Sequence, residues 1–275
     1  KETDYLMNET EIMYRQTDIW KIFRYNAFTL SQKNMWNYGG TPFSNNASLR
    51  WQSMTMNRYE WDVKETFAWN WLDSRLLRGG PDVRFGSYFL TSAKFNTDKA
   101  KRMMFMLKYE GDHNFEGNRF NTISPSLTFR LGNHVYLSGQ LDYAWNTDEM
   151  QYVATTSPLS SSSLAPYYYV MGHMDQKTYG LTLKLQVNVT PDISIQFYGA
   201  PFTSIAKYDD FKLAADTKSH TFENRFQRID PDQLTYADGV YTIGEGAGQM
   251  PFRNPDFRFN EFRSNLVARW EYLPG

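Results

Sequence analysis

The sequence predicts an all-β protein: an antiparallel, up-and-down transmembrane β-barrel of the outer-membrane type, with about ten strands in this chain and forming part of a larger barrel. Three observations predict it. Apolar and polar residues alternate with a period of two over long runs, aromatic residues sit at the ends of those runs, and the connections between runs alternate in length.

The alternation is clearest from Tyr179 to Val189. Tyr179, Leu181, Leu183, Leu185, Val187 and Val189 share one face, and Gly180, Thr182, Lys184, Gln186 and Asn188 share the other. That length falls within the roughly 9–11 residues a tilted strand needs to cross a bilayer. Val135, Leu137, Gly139, Leu141, Tyr143 and Trp145 repeat the pattern against His134, Tyr136, Ser138, Gln140, Asp142 and Ala144. Near the C-terminus Phe262, Leu266, Ala268, Trp270 and Tyr272 oppose Arg263, Asn265, Arg269 and Glu271. Tyr143, Trp145, Tyr179, Trp270 and Tyr272 are the expected lipid-interface aromatics, because rings with a polar edge collect where hydrocarbon meets headgroups.

Such runs mark ten candidate strands: 17–31, 46–56, 58–72, 82–96, 99–113, 119–131, 134–155, 165–189, 193–206 and 261–272. Residues 1–16 read as a lead-in segment, and 17–275 as the barrel region with a long extracellular loop at 207–260. Short turns fall at Asn57, Thr97-Asp98, Gly132-Asn133 and Thr190-Pro191-Asp192, with Pro274-Gly275 opening another. Longer connections fall at 32–45, 73–81, 114–118, 156–164, which carries the run Ser160 to Ser163, and 207–260. A barrel assembled from the periplasm sorts its loops this way, whereas a sandwich has no reason to.

Two strands resist the pattern. Glu65 falls on the face of Trp61, Val63, Phe67, Trp69 and Trp71, so either a bulge shifts the register or the strand leaves the bilayer early. The run 17–31 is apolar on both faces, with Trp20, Ile22, Phe28 and Leu30 against Phe23, Tyr25 and Ala27, and alternation does not orient it.

Composition narrows the class further. The net charge is −1, so charge names no nucleic-acid partner. There is no cysteine, which excludes disulfides and thiolate chemistry. A mean hydropathy of −0.61 argues against a helical membrane protein but not against a barrel, whose strands show lipid only every second residue. Aromatics make up 17% of the chain.

Several segments resemble a known family. Leu77-Arg78-Gly79-Gly80-Pro81, Asp175-Gln176-Lys177-Thr178 leading into Leu181-Thr182-Leu183-Lys184-Leu185, and Ile195-Gln196-Phe197-Tyr198-Gly199-Ala200-Pro201-Phe202 are three of them. Asn254-Pro255-Asp256-Phe257-Arg258-Phe259 and Leu266-Val267-Ala268-Arg269-Trp270-Glu271-Tyr272 are two more. Over roughly residues 15–275 the chain is similar to the C-terminal barrel region, of unknown function, of Bacteroidota outer-membrane proteins that carry an N-terminal family-9-like carbohydrate-binding domain. No residue here resembles that sugar-binding domain. The family runs on past the Trp-Glu-Tyr stretch into a further strand, so the resemblance implies at least two more strands in the full protein.

No catalytic set emerges. Ser138 and His134 share a face, but four residues along a strand span about 13 Å, too far for a direct hydrogen bond. His113, His134, His173 and His220 show no metal-ligand spacing. Asp230, Asp232, Asp238 and Glu245 form an acidic stretch with oxygen ligands for Ca²⁺, but the spacing is not that of an EF-hand, and a solvated loop is the reading adopted. Arg78-Gly79-Gly80-Pro81 reads as a tight loop rather than an anion nest, and Gly244-x-Gly246-x-Gly248 as loop.

The inward face carries the information. Lys64, Arg84, Lys94, Arg102, Lys108, Arg130, Lys184, Arg263 and Arg269 are expected to face a lumen, against Asp62, Glu110, Asp142 and Glu271. A wet, net-positive interior favours anions, unless the acidic stretch 230–250 folds in and caps it. The expected function is therefore a non-enzymatic outer-membrane barrel of a Gram-negative bacterium, a pore, transport component or surface scaffold without cofactor. The alternatives are an anchor displaying a carbohydrate-binding domain for glycan capture, or a subunit of a larger outer-membrane complex. Outer-membrane lipid is the expected partner, with other outer-membrane proteins and glycans as further ones and no nucleic acid.

Overall fold

The alternating runs become strands, and nearly every strand pairs with the next in sequence. The computed structural model describes residues 5–40, 42–69, 71–132, 134–159 and 166–272. Strands β1 (Leu6–Gln16), β2 (Phe23–Trp36), β3 (Pro42–Thr55) and β4 (Glu60–Trp69) open a meander. After a small hairpin of β5 (Trp71–Asp73) and β6 (Val83–Phe85), it continues through β7 (Tyr88–Asn96), β8 (Met103–Asn114), β9 (Arg119–Leu131), β10 (Val135–Thr156), β11 (Tyr168–Thr190) and β12 (Ile193–Ala214). A helical turn, Phe222–Arg225, is followed by β13 (Phe226–Arg228), β14 (Leu234–Ala237), β15 (Val240–Ile243) and β16 (Met250–Arg253). Last comes β17 (Phe257–Trp270), which returns to pair with β12.

The chain is thus all-β and antiparallel, as expected. Its main sheet has twelve strands, of which β13 pairs only three residues of β12, while β14–β16 and β5–β6 form small sheets of their own. β1 and β17 are the two edges. They do not pair with each other among the described residues, so the sheet is open rather than closed into a barrel.

Several boundaries move. The expected lead-in contains β1, whose eleven-residue run pairs in full with β2; Asn8, Thr10 and Gln16 on the apolar-face parity and Met7 and Met13 on the other hide its alternation in the sequence. The first expected strand shifts to β2, and the connection around 37–40 is tight, so no long loop spans 32–45. The runs 58–72 and 82–96 each break in two, because β5 and β6 pair with one another away from the main sheet. β12 continues to Ala214 and β17 begins at Phe257, which shortens the long loop at both ends and fills it with β13–β16. All described connections at one end of the sheet, such as 56–59, 97–102 and 191–192, are short. The other end mixes the tight 115–118 with the long 215–256. Asn133, the run Ser160 to Ser163 and Pro274-Gly275 lie outside the described residues.

The sheet has little core of its own. The accessible surface is 17761 Å², against about 12,300 Å² for a compact monomer of this mass. A single layer leaves both faces open. What is buried lies where β10, β11 and β12, at 22, 23 and 22 residues, outrun their neighbours. There Leu77, Val83, Met150, Met171 and Phe226 form one cluster, and Val170, Phe211, Ile243 and Phe252 another. Met171 and Val170 are neighbours on one strand and so point to opposite faces; the first cluster seats β5–β6 and the helical turn, the second seats β14–β16.

Candidate functional site

Register decides what each face of the sheet presents. Across β12, β11, β10, β9 and β8 one row runs Phe197, Leu185, Leu137, Phe129, Met103. A second runs Gly199, Leu183, Gly139, Leu127, Phe105. Further along the meander Trp61 pairs with Phe95, Phe28 with Trp51, Leu30 with Leu49, and Ile12 with Leu30, all on this face. The strand 17–31, which the sequence could not orient, is thereby oriented: Phe28 and Leu30 join the apolar face, while Ala27 and Thr29 belong to the other. Among the described residues no protein covers this face between its two aromatic borders; only beyond the Tyr143–Tyr179 row, at Met171, do β5–β6 and the helical turn pack on it. Ile12, Leu30, Leu49, Met103, Leu141 and Leu266 are all more than half exposed.

The apolar rows end on aromatic ones. Tyr143 pairs with Tyr179 and stacks on it with ring centroids 5.0 Å apart, and Trp145 stacks on Tyr143 at 5.2 Å. At the opposite end of the strands Trp270 packs on Tyr272 at 6.2 Å, and Trp61 on Phe95 at 4.4 Å. The five predicted interface aromatics therefore divide between the two borders of the apolar band. From Tyr179 to Val189 the chain runs about 33 Å at about 3.3 Å per residue. Beyond the belt come polar rows: Trp145, Lys177 and Ile205, then Thr147, Asp175 and Lys207, then His173 and Asp209.

Glu65 keeps its place in this face. The ladders on both sides of β4 run without a shift, so no bulge removes it. It lies between Leu49 and Thr91, and the Thr91 hydroxyl donates to Glu65 Oε2 at 2.7 Å.

The opposite face is polar and finely hydrogen-bonded. Arg50 Nε and Nη2 donate to both oxygens of Asp62, at 2.8 and 2.5 Å, the planar fork that a guanidinium makes with a carboxylate. Lys108 pairs with Glu110 at 2.7 Å, and Arg263 with Glu261 at 2.8 Å. Asp142 accepts from Ser124 Oγ at 2.6 Å and from the Gln140 amide. Lys64, Lys94, Arg130, Lys184 and Arg269 lie on this face with no ion pair among the described residues. Arg130 instead donates to the Lys99 carbonyl. Ser138 accepts from Thr128 Oγ1 at 3.2 Å.

Two predicted members are elsewhere. Arg84 lies in β6, off the main sheet, where its Nε donates to the Lys218 carbonyl. Arg102 sits in the turn 97–102, before β8 begins, and its carbonyl accepts from the Arg130 amide. At both positions the period of two runs on past the point where the main-sheet strand ends. Glu271 lies just past β17 and bonds the Asp192 carbonyl through its amide. Sequence reasoning missed Arg50, although Ser48, Arg50 and Gln52 alternate with Ala47, Leu49 and Trp51.

The strand extensions hold a buried charge network. Arg225 and Lys212 have no exposed surface. Arg225 bonds Glu116 and the Arg84 carbonyl, and its guanidinium lies over the Phe222 ring. Lys212 reaches Asp210 at 3.3 Å and Glu149 at 3.8 Å, and His173 Nδ1 meets Glu149 at 3.0 Å. Burial pushes the neighbouring Asp148 carboxyl above the usual carboxylate range, although the Met150 amide donates to it at 2.9 Å.

The acidic stretch does not converge. Asp230 precedes a 3₁₀ turn that holds Asp232, while Asp238 and Gly239, both at positive φ, make the tight turn between β14 and β15. Among the described residues no group of three His, Asp or Glu side chains is placed to hold a metal. Arg78 and Gly79 both have positive φ in their tight loop, and a Cβ on Gly80 would meet the Tyr169 ring at 2.6 Å.

Fold and faces define an antiparallel β-meander with one apolar and one polar side. Residues 1–275 match a family described as a domain of unknown function, DUF5916, and the chain belongs to that family. No curated protein and no solved structure matches it.

Proposed function

We propose that this chain is the wall of an outer-membrane β-barrel in a Gram-negative bacterium, without chemistry or cofactor of its own, acting as a pore, a transport component or a surface scaffold. One observation carries the reading. Between its aromatic borders the apolar face crosses the sheet uncovered, would stand about 25 Å tall at a barrel strand's tilt of about 40°, as a barrel's lipid band does, and ends on aromatic belts followed by charges. Water disfavours such a face, and outer-membrane lipid satisfies it.

Closure needs more than these strands. β1 and β17 are the first and eleventh members of an antiparallel meander and therefore run parallel to each other. An odd number of further strands must stand between them if the barrel is to be antiparallel throughout and even in number. Such strands come from chain outside residues 1–275 or from a partner in an outer-membrane complex.

The polar face would then line the lumen. Unpaired Lys64, Lys94, Lys184 and Arg269 favour anions there, while β14–β16, packed on the polar-face side of β11, favour partial closure at the extended end. The finer resemblance adds a Bacteroidota origin and an anchor role for a carbohydrate-binding domain; it rests on the shared segments alone.

Detergent dependence tests the membrane assignment: the chain should stay with membranes through high-salt and alkaline washes and leave only in detergent. Release into plain buffer defeats it. For the lumen, planar-bilayer recordings should show anion-selective conductance if it is open and near-zero conductance if it is capped. Large cation-selective currents would contradict both forms.

A further inference from the structure

Beyond the Tyr143–Tyr179 belt, the extensions of β10–β12 carry the small sheet β14–β16 on their polar-face side. It shares no ladder with the main sheet among the described residues, so side chains seat it. Phe211 of β12 meets Tyr241 and Phe252 with ring centroids 4.9 and 5.0 Å apart, those two stack on each other at 5.4 Å, and Val170 and Ile243 complete the cluster. Between Val170 and Lys184 every register shift adds its extra residue to β10 or β12, so alternation along β11 is unbroken. Val170 and Gly172 therefore face the same side as Gln176, Thr178 and Lys184. A Cβ on Gly172 would stand 3.3 Å from the Phe211 ring and from Val153, so this glycine leaves room for the seat.

Both stems of this cap are pinned to β12. The Ile229 amide donates to the Phe211 carbonyl at 3.0 Å, and the Tyr208 amide donates to Asp256 Oδ1 at 2.8 Å. The β16 side is tied to the end of β10. Thr156 Oγ1 donates there to the Pro251 carbonyl at 2.9 Å, and the Leu159 amide to the Gln249 carbonyl at 3.0 Å. A sheet fastened at its stems, along its face and at its far side is seated, not hinged.

We propose that β14–β16 is a fixed, negatively charged constriction at the lumen mouth, which narrows the passage and offsets the anion preference of the wall below it. The inference rests on the barrel reading above. A layer packed face to face on a sheet stands about 10 Å off it, so the cap takes up that depth of the mouth along β10–β12. From 230 to 250 it carries Asp230, Asp232, Asp238 and Glu245 and no Lys or Arg. On the wall, Lys64, Lys94, Lys184 and Arg269 have no ion pair among the described residues. Two layers of opposite charge in series act against each other on every passing ion, and the narrower layer weighs more because field lines concentrate where a passage is tight. Seating the cap removes the anion preference, and unseating it brings that preference back.

The test uses the full chain in planar bilayers bathed in potassium chloride. The parent should carry small currents with little preference between K⁺ and Cl⁻. Ile243→Ser/Phe252→Ser weakens the seat from the cap side alone and should raise single-channel conductance about threefold, with Cl⁻ preferred. Chymotrypsin cleavage at Tyr241, resisted by the parent, reports that the cap has left its seat. Where that bond stays protected, a chain with 230–255 replaced by a short Gly-Ser linker takes the variant's place. Asp232→Asn/Asp238→Asn/Glu245→Gln should keep the parent's conductance and gain Cl⁻ preference. Parent-like conductance in the cleavable variant or the linker chain overturns the constriction and leaves the barrel reading intact. Selectivity unmoved by the triple neutralisation overturns the charge effect. Absence of current from parent, variant and linker chain alike overturns the constriction and the pore reading together.

Discussion

The body of the sheet and the extension of β10–β12 treat their apolar side chains in opposite ways. In the body, Leu183 and Leu266 are 38% and 69% exposed, while hydroxyls and charges on the other face are tied in ladders. In the extension, Met171 and Val170 are fully buried, and apolar side chains meet apolar side chains as they do in any water-soluble core. One strand, β11, passes from the first regime to the second within its 23 residues. The change falls at the Tyr143–Tyr179 belt, so whether an apolar side chain of β11 is covered depends on its place along the strand and not on its place in the alternation.

The comparison can be broken from either side. The largest effect is expected in the extension. Glu116→Ala leaves Arg225 buried without its carboxylate, with Nε already unpaired, and should cost about 3–5 kcal/mol. Urea titration read by protease cleavage within 215–256 should show the loss there, while the sheet's resistance to cleavage persists. Joint collapse of both regions would mean that they fold as one unit.

Next comes the sheet body. Leu183→Arg places a charge in the middle of the apolar band and should cost about 2–4 kcal/mol of folding free energy in lipid vesicles. A water-facing position would tolerate the same change within about 0.5 kcal/mol. The size of that penalty is therefore a direct reading of the solvent at Leu183.

A smaller effect is expected at the boundary. Tyr179→Ala removes the stack on Tyr143, worth about 0.5–1.5 kcal/mol, and under the proposed membrane assignment should lower stability in thin and thick bilayers unequally. Equal losses in both would remove the anchoring role.

The smallest concerns pH. Burial raises the folded-state pKa of Asp148, so only between the unfolded value and the raised folded one does the folded state hold a proton that the unfolded chain has released. Its destabilising contribution is present at neutral pH and is relieved as pH falls through the raised value. Asp148→Asn keeps the acceptor for the Met150 amide, and should make the extension slightly more resistant to hydrogen exchange at neutral pH and remove this share of its pH dependence. A variant that tracks the parent at every pH would show that Asp148 is not the group titrating.

Much of the meander is legible in residues alone. β9 falls where alternation puts it, and Tyr143, Trp145 and Tyr179 meet in one stack because strict alternation on two neighbouring strands leaves no other arrangement. Arg84 and Arg102 fail for a reason just as physical: period two holds only while the backbone stays extended, and neither residue is in a strand of the main sheet. β1 is hard to read because Asn8, Thr10 and Gln16 stand on its apolar-face parity and Met7 and Met13 on the other, which blurs the period of two. The stretch Lys207–Ala214 reads as loop because charges at Asp209 and Asp210 interrupt it, yet it forms strand because β11 offers it a ladder.

Sequence by itself determined the antiparallel β class, the apolar band and its aromatic borders, since each depends on local periodicity that any extended chain must obey. Only the tertiary structure decided that the sheet has eleven full strands and stands open, that Glu65 remains on the apolar face, and that Arg225 and Glu116, 109 residues apart, close a buried pair. Those outcomes depend on which distant strands and loops meet, and contact between distant segments is set by packing and by the burial of charge, which no local pattern encodes.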